Sequence, residues 1–256
     1  MKKLIFLTFL VCSANLFAQT VVKELDSWKF SRTDNTDASK VEFNDAAWQT
    51  VAVPHDWAIY GPFDKEVDKQ VVKIEQNNEK TATEKTGRTG ALPFIGVGWY
   101  RTKLSLPEFT TDKQVILSFD GAMSNAQVFV NAEKVGSRPY GYSYFYFDIT
   151  SYLKAGVENT IAVRLENQGF SSRWYPGAGL YRKVKVLVKN KASFKHWAHY
   201  ITTPFVSGDV AKVNIRSQVQ GQNLTIKAII RDTEGKIVAE NSASARFADE
   251  IEQNIA

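Results

Sequence analysis

Apolar and polar residues alternate at a period of two along most of the chain from about residue 99. Ile161, Val163 and Leu165 would face one side of a strand and the residues between them the other side. The valines of 184–188 repeat the pattern, which would leave Lys189 facing outward. This period is typical of half-buried strands, and helical spacing is nearly absent. Candidate strands span 99–106, 114–120, 126–131, 144–149, 159–166 and 181–189, a succession that predicts an all-β sandwich or barrel.

The first 18 residues have the three-part pattern of a secretory signal peptide. Lys2 and Lys3 precede an apolar stretch over 4–11, and Ala18 offers a small residue for cleavage. A transmembrane anchor needs about 20 apolar residues, and polar residues interrupt this stretch well before that length. We therefore predict removal of residues 1–18, export to the periplasm or out of the cell, and no membrane span.

The only cysteine, Cys12, lies inside this leader. Lipid modification of Cys12 is the alternative to ordinary cleavage, although it requires small residues where the chain has Leu10 and Val11. If Cys12 leaves with the leader, the mature chain has no disulfide and no thiolate chemistry. Its net charge falls from +5 to +3 without Lys2 and Lys3 (30 basic residues against 27 acidic), and the basic residues are scattered. This distribution argues against a nucleic-acid partner.

Residues 61–90 interrupt the strand pattern. They carry many charges, few large apolar residues after Ile74, and a run rich in Thr, Lys and Gly from 81 to 90. We interpret them as a long surface loop. Such loops inside compact domains usually serve a function or are disordered, and a tolerated insertion is the alternative.

The strand pattern restarts after Asn190. Candidate strands at 196–201, 210–219, 224–232 and 236–245 follow, with a hairpin turn at 233–235. Three or four strands are fewer than the seven of a complete sandwich. We therefore predict a first sandwich over 19–190 and an incomplete second sandwich over 191–256.

No catalytic constellation stands out in the sequence. Hydrolysis by paired carboxyl groups, as in retaining glycosidases, requires two of them about 5–5.5 Å apart, and Asp249, Glu250 and Glu252 lie in what we interpret as a charged tail. No Gly-x-Ser-x-Gly elbow or phosphate-binding loop is present. His196 and His199 would face opposite sides of a strand, which does not favour a metal site. We expect no catalytic residue, no metal and no cofactor in this chain.

Two aromatic loops contain the candidate binding residues. In the first, Asp56 and Trp57 follow a proline, which cannot donate to a central strand ladder and so takes the chain out of the sheet. The second contains Arg173, Trp174 and Tyr175, followed by a proline and two glycines. Flat rings and bidentate donors suit sugar faces and hydroxyl groups, although a single Trp or Tyr more often anchors a core or a loop. The aromatic run over 144–147 is assigned to strand packing.

Five motifs follow one another between about Trp48 and Val188. They are Val53-Pro54-His55-Asp56-Trp57, Gly98-Trp99-Tyr100-Arg101, Phe119-Asp120-Gly121-Ala122 with Val128-Phe129-Val130-Asn131, Phe147-Asp148-Ile149-Thr150, and Ser172-Arg173-Trp174-Tyr175-Pro176-Gly177-Ala178-Gly179-Leu180-Tyr181-Arg182. Together they resemble the N-terminal part of glycoside hydrolase family 2, most closely its bacterial β-galactosidase branch.

The resemblance implies a jelly-roll, galactose-binding-like first domain and an immunoglobulin-like second domain. In the family these precede a (β/α)₈ barrel, whose two glutamates perform retaining hydrolysis at the face where the active sites of such barrels lie. This chain would then be a non-catalytic portion of an enzyme acting on terminal β-galactosides, with a carbohydrate and the downstream barrel as partners.

The resemblance also assigns the site residues. Arg173 would lie in the wall of the sugar pocket, where some relatives have Asp, and Trp174 and Tyr175 would hold its loop. Asp56 and Trp57 are further substrate-binding candidates. Certain relatives have an Asn where this chain has Ile95 and Gly96.

Two other functions stay open at this stage. One is a free-standing carbohydrate-binding module, and the other is a sandwich scaffold that binds no sugar. The incomplete second sandwich favours the enzyme portion, because a free-standing module has no need of it.

Overall fold

A computed structural model describes residues 20–107, 109–208, 210–245 and 250–255. The predicted signal peptide over 1–18, with Cys12, lies outside this range, and so does Asp249. The described residues form strands and three short 3₁₀ turns, at Thr36–Ser39, Glu75–Asn77 and Thr150–Tyr152, which confirms the all-β prediction. Among these residues, no helix has the length and apolar character needed to cross a membrane.

The chain divides into two compact units, the first comprising Thr20–Lys189 and the second beginning at Asn190. Twelve strands start in the first unit. They are β1 (Thr20–Glu24), β2 (Ser27–Ser31), β3 (Gln49–Ala52), β4 (Gln70–Val72), β5 (Thr83–Lys85), β6 (Gly96–Leu104), β7 (Lys113–Phe119), β8 (Ala126–Val130), β9 (Glu133–Arg138), β10 (Phe145–Asp148), β11 (Asn159–Asn167) and β12 (Val184–Asn190). The period-two pattern had not indicated β1, β2, β4, β5 or β9.

Two sheets form the sandwich of the first unit. One has the order β1-β12-β7-β10 and the other β3-β2-β6-β11-β8-β9. The central pair, β6 and β11, is antiparallel and runs in unbroken register from Gly96↔Asn167 to Leu104↔Asn159. Side chains of both sheets fill one core, in which Ile161, Val163 and Leu165 are fully buried as the alternation predicts.

The outer face of β6 and β11 is covered as well. Ala162 is buried against Trp99 and Ala38, so β11 is enclosed on both faces and its outward residues are not all solvated. Lys189, which we had predicted to face outward, is also buried, and this burial lowers the pKa of its ammonium group.

A buried arginine attaches this cover to the sheet. Arg101 on β6 is only 1% exposed. Its Nε donates to Asp45 Oδ2 at 2.8 Å, and its Nη1 donates to the carbonyls of Ala38 and Lys40. Because a buried charge is tolerated only when it is paired and hydrogen-bonded, these acceptors fix the segment 38–45 on the sheet. In the Gly-Trp-Tyr-Arg motif, therefore, the arginine is structural.

Residues 61–90 contain more structure than the predicted loop. Strands β4 and β5 pair antiparallel from Gln70↔Lys85 to Val72↔Thr83. Asp68 and Thr89 are buried. The prediction of a long surface loop did not include this hairpin, because strands of three residues among many charges leave no recognisable period.

The second unit contains β13 (Ser193–Ser207), β14 (Val210–Gln220), β15 (Leu224–Arg231), β16 (Ile237–Ala245) and β17 (Glu250–Ile255). These form a β13-β14-β17 sheet and a β15-β16 pair, with Val219, Ile226, Ala245 and Ile251 in the core. The predicted strands at 210–219, 224–232 and 236–245 are confirmed. The prediction of a charged tail was wrong, because Glu250 and Glu252 belong to strand β17. Both glutamates are exposed, while Ile251 and Ile255 of the same strand are buried.

We expect residues 20–190 to fold without the rest of the chain, because the core of the first unit is built from its own residues. Limited proteolysis should remove the segment beyond 190 first, since its sheets have open edges. Mass spectrometry of the products will locate the boundary. Degradation of both parts at the same rate would contradict this division.

Candidate functional site

The Arg173 loop, defined as residues 168–178, leads into a backbone ladder at one end of the first unit. The His55 N–H donates to Leu180 O at 2.8 Å, and the Trp57 N–H donates to Ala178 O at 3.1 Å. On the other side, Gly179 exchanges two backbone hydrogen bonds with Met123, at 2.9 and 3.0 Å. The end of the loop is therefore held between the 55–57 segment and Met123.

Gly179 is required at this place. Its φ is +108°, and a Cβ atom there would lie 2.3 Å from Tyr100 Oη and 2.7 Å from His55 O. Any side chain would therefore displace buried backbone as well as the tyrosine. The second glycine of the loop motif thus has a packing role.

Tyr100 and His55 form a neutral pair beneath this glycine. The Tyr100 hydroxyl lies 2.7 Å from His55 Nδ1 and also accepts the Leu180 backbone N–H. Burial raises the pKa of Tyr100 well above its ordinary value, and burial also lowers the pKa of His55. The Tyr100 hydroxyl therefore keeps its hydrogen, and its hydrogen bond with His55 Nδ1 joins two neutral groups.

Asp56 joins its own segment to the Arg173 loop through its carboxylate. Oδ1 accepts the Ala58 N–H at 2.9 Å and the Tyr175 hydroxyl, and Oδ2 accepts the Ala178 N–H at 3.2 Å. Burial raises the pKa of Tyr175, and the hydrogen bond to Asp56 raises it further, so the phenol remains a donor. Asp56 and Tyr175 thus have a structural role: their contact holds the Arg173 loop in place.

Trp57 is half-buried in the same support. Its ring stacks on Phe30 at 6.0 Å, and the Arg32 guanidinium lies 5.0 Å from its centre. Arg32 in turn donates to the carbonyls of Pro93 and Ile95. The Trp57 indole Nε1 is buried without a partner among the described residues. Trp57 therefore packs the 92–96 segment against the loop end.

Side chains on both sides of Arg173 are attached to other segments. The Trp174 Nε1 donates to Tyr142 Oη at 3.1 Å, and Asn167 Nδ2 donates to Gly177 O at 3.1 Å. Arg173 itself is exposed and forms no hydrogen bond or ion pair with the residues that the structure describes. The neighbouring rings do not enclose its guanidinium: Trp174 is 60% exposed and turns to Tyr142. The Arg173 guanidinium is therefore exposed to solvent, while contacts of neighbouring residues hold the backbone that carries it.

Sequence reasoning missed two tyrosines beside Trp174. Tyr140 is 58% exposed, and its ring centre lies 5.6 Å from that of Tyr142. The Arg182 Nη1 donates to Tyr142 O at 3.2 Å, and the Tyr181 hydroxyl donates to Gly141 O. Residues 139–142 combine proline, glycine and aromatic residues as the Arg173 loop does, and this composition could have identified them. In the 144–147 run, Phe145 is packed as predicted and stacks on Phe119 at 4.7 Å, whereas Tyr146 is 43% exposed.

The two histidines of the second unit do not form a ligand pair. The His199 Nδ1 lies 3.0 Å from Ser217 Oγ, and the β13–β14 register is irregular between Phe194 and His199. No group of three or more His, Cys, Asp or Glu side chains within the described residues is arranged to hold a metal ion.

The sequence profile described as "Glycosyl hydrolases family 2, sugar binding domain" matches residues 22–190. The chain belongs to glycoside hydrolase family 2. This confirms the resemblance inferred from the five motifs. The matched range contains both aromatic loops and the ladder between them.

Individual members of family 2 agree with this assignment. A β-galactosidase from Bacteroides ovatus is 35% identical over 223 residues, which are 85% of this chain and 24% of that protein. A β-glucuronidase from Formosa agariphila is 25% identical over 241 residues, which are 84% of this chain and 23% of that protein. The solved structure of a family 2 member from Bacteroides cellulosilyticus has a TM-score of 0.76 and 29% identity, over 91% of this chain and 30% of that one. The chain spans about a quarter of the length of these curated relatives.

Replacing Asp56 by Ala should destabilise the first unit by about 2–4 kcal/mol, because three donors lose their acceptor in a partly buried place. Tyr175→Phe should cost only about 1 kcal/mol, since it removes one hydrogen bond and leaves the two backbone donors satisfied. Urea unfolding of residues 20–190, followed by tryptophan fluorescence, measures both values. An Asp56→Ala midpoint equal to that of the unmodified protein would show that the carboxylate does not support the loop.

Proposed function

We propose that this chain is the non-catalytic N-terminal portion of an exported family 2 enzyme that hydrolyses terminal β-galactosides by a retaining mechanism in a downstream barrel. The observation that carries the proposal is the family match over 22–190 in a chain about a quarter as long as its relatives. The carboxylates at the loop end support it, because Asp56 and Asp68 are both occupied by protein donors. Neither is therefore available as the nucleophile or acid that the reaction requires.

The proposed sugar contact is Arg173. Its backbone is fixed on both sides, so the guanidinium fork can meet sugar hydroxyl groups with little further loss of backbone freedom. The exposed ring of Trp174 lies next to it in the chain and offers a flat face to a sugar ring. The other three candidates do not contact the sugar in this proposal. They hold the loop that carries Arg173 and Trp174, and they are Asp56, Trp57 and Tyr175.

A galactoside is the proposed substrate class because the motifs resemble the β-galactosidase branch, and a relative named as a β-galactosidase is 35% identical to this chain over 223 residues. A relative named "Putative beta-glucuronidase" is 34% identical over 234 residues, so a glucuronide is the alternative substrate class. Assays therefore include both glycosides. The proposed partners are a carbohydrate and the downstream barrel. The proposed location is the periplasm or the medium. N-terminal sequencing of the mature protein tests this location, because a first residue directly after Ala18 would show that the signal peptide is removed.

The purified chain, residues 19–256, should not hydrolyse nitrophenyl β-galactoside or β-glucuronide above the background rate, because it contributes no catalytic carboxyl pair. Spectrophotometric release of nitrophenol measures this. A parallel preparation of a longer chain that includes the barrel is the positive control. Turnover by residues 19–256 that a substitution within them abolishes would refute the non-catalytic assignment.

In the longer enzyme, Arg173→Ala should reduce kcat/KM for the galactoside by roughly 10- to 150-fold, as expected for losing about 1.5–3 kcal/mol of a charged hydrogen bond in the transition state. The melting temperature should stay nearly constant because the side chain supports no other residue. Arg231→Ala, which removes an exposed arginine of the second unit, is the matched control. Equal kinetics in the two variants would assign Arg173 no role in sugar binding.

A further inference from the structure

The 61–90 segment contacts the Arg173 loop through a buried carboxylate. Asp68 is 7% exposed. Its Oδ1 accepts the backbone N–H of Phe170 at 2.9 Å, and its Oδ2 accepts Nε2 of Gln70 at 2.9 Å. Asp68 and Phe170 are 102 residues apart in the chain. The contact therefore connects an insertion between strands to the loop that carries the proposed sugar contact.

Gln70 extends the connection to the next turn of the loop. Its Nε2 has two hydrogens, one for Asp68 and one for the carbonyl of Ser172 at 3.0 Å. Its Oε1 accepts Nη1 of Arg88 at 3.4 Å. Because donors and acceptors occupy both ends of the amide, its orientation is determined, and Asp68 controls whether the amide can reach Ser172.

The loop needs this support at Phe170. This residue has a φ of +57°, a backbone conformation that is costly for a bulky side chain and persists only where the surroundings impose it. The Asp68 carboxylate holds the N–H of that same residue. Removing the acceptor should allow the turn before Arg173 to relax.

We propose that Asp68 and Gln70 are positioning residues for the proposed sugar site, and that the 61–90 segment is a part of that site. They hold Phe170 and Ser172, just before Arg173, while Asp56 holds Tyr175 and Ala178 just after it. Arg173 therefore stands between anchors supplied by two different segments. The role in sugar binding rests on the proposed function above, whereas the anchoring of the loop does not.

Amide hydrogen exchange of the chain, measured residue by residue by NMR, tests the anchoring. Gln70→Ala should accelerate exchange in residues 172–174 and shift the Trp174 indole resonance, with acceleration by about tenfold, the amount expected for losing one hydrogen bond. Gln76→Ala is the matched control, because Gln76 is an exposed glutamine of the same segment. It should leave both signals unchanged.

Asp68→Asn provides a second variant that conserves the shape of the side chain. Asparagine has one acceptor oxygen where the carboxylate has two, so it can keep only one of the two bonds that its oxygens now make. Either the Phe170 amide or the 172–174 amides should then exchange about tenfold faster, while Asp68→Ala should affect both. The double variant Asp68→Asn/Gln70→Ala should show less than the summed effect, because the two side chains act through one contact.

Kinetics of the longer enzyme separate the anchoring from the function. Gln70→Ala should raise KM for the galactoside about tenfold and lower the melting temperature only slightly, while Gln76→Ala should change neither. Unchanged exchange in Gln70→Ala and Asp68→Asn would overturn the anchoring itself. Accelerated exchange in a protein whose Arg173→Ala variant keeps normal kinetics would preserve the anchoring and reject the sugar site.

Discussion

The carboxylate of Asp56 is the interaction on which the loop end of the first unit depends. It receives donors from its own segment, from Tyr175 just before the Pro-Gly-Ala-Gly turn and from Ala178 within that turn, so that two loops far apart in the sequence become one body. A carboxylate suits this task because it accepts several hydrogen bonds and the charge strengthens each of them. The tyrosine donor stays protonated because burial raises its pKa. Beneath it, the ladder to His55 and the close approach of Gly179 to Tyr100 connect the same body to the core.

Most residues of the family motifs have structural roles in or near this loop end. In Gly-Trp-Tyr-Arg, the tyrosine faces the core and His55, while the tryptophan and the arginine face outward and bind Asp34 and Asp45. In the second aromatic loop, the glycines, Ala178 and Tyr175 serve the ladder and the carboxylate. Arg173 alone among the five predicted site residues makes no contact that the fold requires. A motif can therefore identify the family reliably while most of its members have structural roles.

The sequence predicted the elements whose periodicity is long and regular, and it failed where the periodicity is short or the partner is distant. Strand β11 was identified because Ile161, Val163 and Leu165 alternate with other residues in its sequence, although the structure covers both of its faces. Strand β17 was mistaken for a tail because its exposed glutamates dominate the composition, although Ile251 and Ile255 alternate with them. The pair β4–β5 is too short to show a period. Asp68 and Gln70 were missed for another reason: their importance comes from contacts with residues 102 positions away, and no local pattern records such contacts.

The anchors of the Arg173 loop act mainly on backbone atoms. Two carboxylates accept the backbone N–H groups of Phe170 and Ala178. Two side-chain amides donate to the backbone carbonyls of Ser172 and Gly177. A loop held in this way keeps its path whatever side chain stands at position 173. Diversification of this position is thus nearly free of a folding penalty, and a lineage can exchange the exposed side chain at position 173 by a single codon change while the sandwich beneath it stays the same.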